Sequence, residues 1–292
     1  MPSKEHEAVV AMVLATPPAA GSVQESRDGF EAMMAMTPLP DDASIEEINI
    51  EHMNADWVSV PESDDNRVIL YLHGGGYVIG SNTGYREFAT RMARATQSRL
   101  LLINYRLAPE NPFPAAVDDA VMAYRWLIDQ GISADRIMIA GDSAGGGLTL
   151  ATLVSLRDGG DALPGCATCF SPWVDLEGTG DSTKEGVIDD PMLALDGLQE
   201  MGRQYAGGDL RNPLAAPLYA DLSGLPPLLV FCGTREILMD DGIRIVDNAR
   251  AVGVDTQLSV GEGLVHVWQI FAVPEAAESL EEVGRFIAKH LP

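Results

Sequence analysis

The stretch Arg136-Ile137-Met138-Ile139-Ala140-Gly141-Asp142-Ser143-Ala144-Gly145-Gly146 narrows the possible folds more than any other. Its apolar run reads as a short buried strand. The run stops at a glycine, and Gly141-x-Ser143-x-Gly145 leads straight into a helical pattern carrying Leu148, Leu150, Ala151 and Leu153. A strand that turns this sharply into a helix leaves no room for Cβ atoms beside the turn, which explains the glycines. Ser143 is then held in a strained conformation with its hydroxyl exposed. It sits at a helix N-terminus, where free N–H groups and the dipole favour negative charge. Strand, turn and helix in this order are the setting of a nucleophile elbow. The same setting also serves phosphate binding or a plain turn, so the rest of the chain has to decide.

Helical patterns cover 5–14, ended by Thr16-Pro17-Pro18, and 22–36, ended by Thr37-Pro38-Leu39-Pro40. Strand patterns follow at 45–51 and 55–60, expected to start antiparallel, then at 67–72, 99–103, 163–171, 228–232 and 256–260. Helices are expected at 84–96, 114–130, 195–205, 240–252 and 274–291. Strands alternating with helices predict an α/β protein, a mostly parallel sheet with helices on both faces. Residues 1–40 and about 175–215 break this rhythm and are candidates for a cover over one end of the sheet.

At 292 residues and 46% hydrophobic content, the chain can build one large α/β core. Asp and Glu number 43 against 19 Lys and Arg, a formal charge of -24. Such a surface repels phosphate backbones and anionic lipid heads, so neither nucleic acid nor a membrane is expected as a partner. No stretch approaches the ~18 apolar residues that span a bilayer. Three cysteines argue for a reducing compartment over a disulfide framework, and the cytoplasm is the expected location. Cys166-x-x-Cys169 has a redox-like spacing. On a strand, however, the two thiols point to opposite faces and read as buried structural groups. No metal-ligand cluster, dinucleotide fingerprint or P-loop is present, so no cofactor and no metal are expected.

His73-Gly74-Gly75-Gly76 follows a buried strand directly. An acyl-transfer intermediate carries negative charge on its former carbonyl oxygen. Backbone N–H groups reach that oxygen only where side chains are missing, and losing one donor typically costs ~10²–10³ in rate. Gly75, Gly76 and Ala144 are the expected oxyanion-hole donors, with His73 bracing the loop. Together, His73-Gly74-Gly75-Gly76-Tyr77, Tyr105-Arg106-Leu107-Ala108-Pro109-Glu110 and Gly141-Asp142-Ser143-Ala144-Gly145-Gly146 resemble the bacterial hormone-sensitive-lipase-like carboxylesterases of the α/β-hydrolase fold. The resemblance covers roughly residues 45–292. It implies a helical cap from 1–44 and about 175–215, and a catalytic α/β-hydrolase domain from 45–174 and 216–292. It also implies short- to medium-chain acyl esters as substrates and a possible homodimer.

A nucleophilic Ser143 needs a base, and the base an orienting acid. In α/β-hydrolases the chain order is Ser, acid, His. Two histidines follow Ser143: His290 in the terminal helix, and His266 in the loop after the last strand, where the family keeps its base. Glu236 stands where the family usually carries Asp, so its longer arm requires a local shift of the loop. Asp240 competes for the role, although it also suits the first turn of the helix that starts there. Asp142 is expected to brace the elbow. Arg106, Glu110 and Asp118 are expected to be scaffold groups bonded to one another. The resemblance places Asp190 near the His266 loop. Tyr77, Met33, Met34, Trp173, Leu193 and Val267 are candidate pocket walls. Activity is expected to fall as the pH drops through the imidazole pKa, ~6.5 when unperturbed. Two rivals use the same residues differently: a lactone hydrolase with the same triad, and a non-catalytic small-molecule receptor on the same fold.

Overall fold

The computed structural model describes residues 1–15 and 21–292; the helix stop expected at Thr16-Pro17-Pro18 lies outside the described residues. The chain opens with α1 (Lys4–Ala15) and α2 (Val23–Met34). A capping box starts α2: the Ser22 hydroxyl accepts from the Glu25 N–H, and the Glu25 carboxylate accepts from the Ser22 N–H at 2.7 Å. Two donors that a helix start leaves bare are thereby satisfied. Then come β1 (Ser44–Ile50), β2 (Met53–Ser59), β3 (Asp64–Leu72), α3 (Asn82–Thr96), β4 (Ser98–Ile103), α4 (Ala115–Asp129), β5 (Ile137–Asp142) and α5 (Ala144–Gly159). The second half holds β6 (Cys166–Phe170), α6 (Leu195–Ala206), β7 (Leu228–Arg235), α7 (Met239–Ala251), β8 (Thr256–Val265) and α8 (Pro274–His290).

The eight strands form one sheet in the order β1-β2-β4-β3-β5-β6-β7-β8. β2 is antiparallel to both its neighbours, and every pairing from β4 to β8 is parallel. The central strands are apolar without alternation because both of their faces are covered. Val68, Leu70 and Leu72 of β3 point into one core with α4, α5 and α7, while Ile69 and Tyr71 point into the other with α3 and α8. Cys166 and Cys169 divide in the same way between the two cores; both are free and buried, and burial pushes each thiol up to about 12. Among the described residues, no helix is long and apolar enough to cross a membrane.

Two sequence expectations change. Arg106, Glu110 and Asp118 do not bond to one another. Arg106 grips Asp119, with Nη2 2.7 Å from Oδ1, because Asp119 lies on the buried face of α4 and Asp118 on the exposed one. Glu110 instead pairs with Arg27 of α2 at 2.7 Å. The last strand also runs past Val260 to Val265. Gly233 pairs with Gly261, and Arg235 next pairs with Val265, so three β8 residues arch past Thr234 alone. Gly263 takes a φ of +74° at the arch and donates its N–H to Thr234 Oγ1 at 2.8 Å. A polar, glycine-containing arch looks like a loop in sequence.

The packing of β5 and α5 against β3 yields a stability test. A Cβ on Gly145 would run into the carbonyl oxygen of Leu72 and lie 2.6 Å from that of His73. Both obstacles are backbone and cannot swing aside. Gly145→Ala should destabilise the fold by at least about 3 kcal/mol in denaturant or thermal unfolding, the upper range for overpacking. A variant as stable as the parent would contradict this packing.

Candidate active site

Ser143 sits between β5 and α5 at φ 52° and ψ -119°, a conformation L residues seldom adopt. The chain holds it there from β6: the Ser143 N–H donates to the Phe170 carbonyl at 2.8 Å, and its carbonyl accepts from the Trp173 N–H at 2.9 Å. A Cβ on Gly141 would strike the Gly145 carbonyl oxygen, so both glycines of the elbow are sterically required. The Ser143 side chain remains slightly open, at 8% exposure of the residue.

Asp142, one residue earlier, ties the elbow to the glycine loop. Its Oδ1 accepts from the Tyr71 hydroxyl at 2.8 Å and the Gly74 N–H at 2.9 Å, and its Oδ2 accepts from the Tyr85 hydroxyl at 2.8 Å. Burial pushes this carboxyl up to about 6, against the opposing pull of Tyr85, Tyr71 and Gly74. His73 braces the same loop. Burial pushes its imidazole down to about 4, so the neutral ring donates Nδ1–H to the Gly74 carbonyl at 2.7 Å. The ring stacks on Tyr105 at 4.3 Å.

Past this brace, Gly75 and Gly76 have φ of +109° and +62°. A Cβ on Gly75 would strike the Ile79 carbonyl oxygen, and one on Gly76 the Met201 sulfur. Among the described residues, none of the N–H groups of Gly75, Gly76 and Ala144 donates to a protein acceptor. Three uncommitted amides beside one hydroxyl can hold an anionic oxygen.

Strand register brings Glu236 and His266 together. Arg235 pairs with Val265 in the parallel β7–β8 ladder, so Glu236 and His266 leave the two strands side by side. Their side chains meet at 2.5 Å, His266 Nδ1 to Glu236 Oε2. A carboxylate can only accept, so Nδ1 carries the proton and Nε2 keeps its lone pair. Burial works against the charged imidazole, but the hydrogen bond and the charge of Glu236 outweigh it and hold its pKa above 6.5. Asp240 is not part of this pair. It lies in the first turn of α7 and accepts from the Ser182 N–H at 2.9 Å. Asp190 stands next to the acid: it accepts from the Ile237 N–H at 2.8 Å, and its charge is felt by His266. Among the described residues, the His266 ring bonds to Glu236 through Nδ1 and makes no hydrogen bond to Ser143 Oγ; catalytic hydrogen bonds of this kind often tighten only in the Michaelis or transition-state complex.

The candidate pocket residues fall in different places. Tyr77 is wholly buried and stacks face to face on Tyr205 at 3.6 Å; Trp173 is buried beside it, with ring centres 6.1 Å apart. Leu193 and Met34 are half-buried and pack on opposite cores. Met33 is half-buried on α2. Val267 is buried in a left-handed conformation, φ 47°, directly after His266. Two further residues reach the site without a motif to mark them. Met201 of α6 lies against Gly76, and Ser171 lies between the acid and the His266 loop. The position of Ser171 directly after a buried strand, at the strand end where loops carry chemistry, is the signal that could have found it. Among the described residues, no group of three or more His, Cys, Asp or Glu could hold a metal ion.

The chain is similar to known proteins over most of its length. A family described as having the alpha/beta hydrolase fold matches residues 69–270. An acetyl-hydrolase of Streptomyces hygroscopicus is 41% identical over 243 residues, 82% of this chain and 81% of that protein. The crystal structure of an esterase from the bacterial hormone-sensitive lipase family superposes over 100% of both chains, with a TM-score of 0.96 and 43% identity. EstE5, in a crystal soaked by p-nitrophenyl butyrate, superposes over 99% of both chains with a TM-score of 0.93 and 40% identity. The first two are named as an acetyl-hydrolase and an esterase, and the receptor alternative is set aside. The chain belongs to the bacterial hormone-sensitive-lipase family of α/β-hydrolase-fold enzymes and is a carboxylic-ester hydrolase.

Proposed function

We propose that the chain hydrolyses short- to medium-chain acyl esters through an acyl-enzyme on Ser143, with His266 as base and Glu236 as its orienting acid. The 2.5 Å contact between Glu236 and His266 carries this reading, because it leaves the imidazole with a free lone pair at Nε2. Ser143 Oγ attacks the ester carbonyl carbon and passes its proton to His266 Nε2. The developing oxyanion accepts from the N–H groups of Gly75, Gly76 and Ala144. The intermediate collapses as His266 protonates the leaving alcohol. Water then gives its proton to His266 and attacks the acyl carbon, and collapse returns that proton to Ser143.

The proposed cap supports the substrate range. Residues 1–44 and about 175–215 include α2 and α6, and both reach the glycine loop. Arg27 of α2 donates to the carbonyls of Val78 and Ala108 at 2.9 and 3.1 Å. Met201 and Tyr205 of α6 press on Gly76 and Tyr77. We infer a small acyl group from side chains this close to the proposed oxyanion donors, in keeping with the p-nitrophenyl butyrate soaked into the EstE5 crystal. The three free, buried cysteines support a reducing compartment, and we infer the cytoplasm.

Labelling with a fluorophosphonate tests the nucleophile. The adduct should map to Ser143, and Ser143→Ala should lose about 10⁴-fold or more of kcat on p-nitrophenyl butyrate. An adduct elsewhere would sink the reading. For the acid, Glu236→Gln should lower kcat by about 10²- to 10⁴-fold, while Asp240→Asn stays within about 3-fold. The reverse ranking would move the role to Asp240. The base must be neutral in the free enzyme, so kcat/KM rises with pH through the His266 pKa. Because that pKa is held up by Glu236, the inflection should lie above 6.5 and not at the unperturbed value. Glu236→Gln should move it to lower pH, and an inflection that stays in place would separate Glu236 from the base.

A further inference from the structure

Ser171 directly follows β6 in the left-handed region, φ 45°, with no exposed surface. Its N–H donates to the Phe231 carbonyl at 2.8 Å, which fixes the backbone to β7. Its hydroxyl meets two groups of the site. Oγ lies 2.8 Å from Glu236 Oε1 and accepts from the Val267 N–H at 3.1 Å. A hydroxyl has one proton, and a carboxylate offers none. With Val267 donating to an oxygen lone pair, the Ser171 proton has Glu236 Oε1 as its acceptor. The Gly233 N–H reaches the same oxygen at 2.5 Å. Two donors therefore hold Oε1, and Oε2 is left for His266.

We propose that Ser171 is a positioning residue, whose hydroxyl aims the Glu236 carboxylate and pins the residue after His266, so that acid and base keep their alignment. The proposal rests on the reading of Ser143, Glu236 and His266 as the triad. Glutamate has one more rotatable bond than aspartate, so its carboxylate needs more anchoring to stay on a single imidazole nitrogen. Ser171 also joins the two halves of that pair: one bond runs to the acid after β7, the other to the loop after β8. A residue that merely filled space would need no hydroxyl.

The test compares Ser171→Ala and Ser171→Gly in the full chain, on p-nitrophenyl butyrate. Both lack the hydroxyl. Glycine adopts the observed φ without steric cost, so it keeps this conformation accessible even if alanine disturbs it. Each variant should lose about 10- to 100-fold in kcat with KM within about 2-fold, and the acid limb of kcat/KM should shift to lower pH. In a Glu236→Gln background, Ser171→Ala should lose at least about 3-fold less in kcat than it does in the parent, because the part of its effect that runs through the Glu236 carboxylate is already gone and only the bond to the Val267 N–H remains. Parental kcat and an unmoved acid limb in both single variants would overturn the proposal. So would an equal loss with and without Glu236. Ser143→Ala is measured alongside. If it keeps its activity, the triad reading fails and Ser171 loses its role with it. If it is inactive while the Ser171 variants match the parent, the positioning role alone fails.

Discussion

The site depends first on a buried carboxylate that performs no chemistry. Asp142 gathers the Tyr71 hydroxyl from β3, the Tyr85 hydroxyl from α3 and the Gly74 N–H from the glycine loop. Its own backbone lies one residue before Ser143. A single side chain thus joins β3, which leads into the glycine loop, to β5, which leads into Ser143. A buried charge is tolerated only when its lone pairs are filled, and here three donors fill them. That tie adds to the β3–β5 ladder, in which Leu72 pairs with Gly141, in fixing the Gly75 and Gly76 amides relative to the Ser143 hydroxyl. The steric demands at Gly141 and Gly145 then set the spacing, because the elbow packs directly on backbone carbonyls.

What could be read from the sequence follows how local each cause is. The elbow and the glycine loop are legible because their steric reasons lie within a few residues. The alternation of strands and helices is legible because burial on both faces leaves continuous apolar runs. The choice of Asp119 over Asp118 as the partner of Arg106 was not legible, since the two are adjacent on α4 and differ only in which face meets the core. The end of β8 was hidden for a similar reason: an arch that leaves and rejoins the ladder has the composition of a loop. Ser171 carries no motif at all. Its importance comes from a backbone conformation and two long-range contacts that exist only in the fold.

Glu236 stands where the resemblance leads one to expect Asp, and its carboxylate meets the His266 imidazole. Strand register already sets Glu236 beside His266, and Oε1 takes the donors from Ser171 and Gly233. The carboxylate is thereby used at both oxygens, one for anchoring and one for the base. Asp190 supports the same turn by accepting from the Ile237 N–H.

The arrangement of strands also divides the machinery unequally. Ser143 and the glycine loop hang from β5 and β3, which have neighbours on both sides. His266 hangs from β8, whose outer side has no strand partner among the described residues. Edge segments open at lower free energy than the interior of a sheet. With the roles proposed above, Ser143 and the glycine loop rest on strands held from both sides, and His266 follows a strand held from one side only, so the two halves of the site stand on unequal support from the sheet.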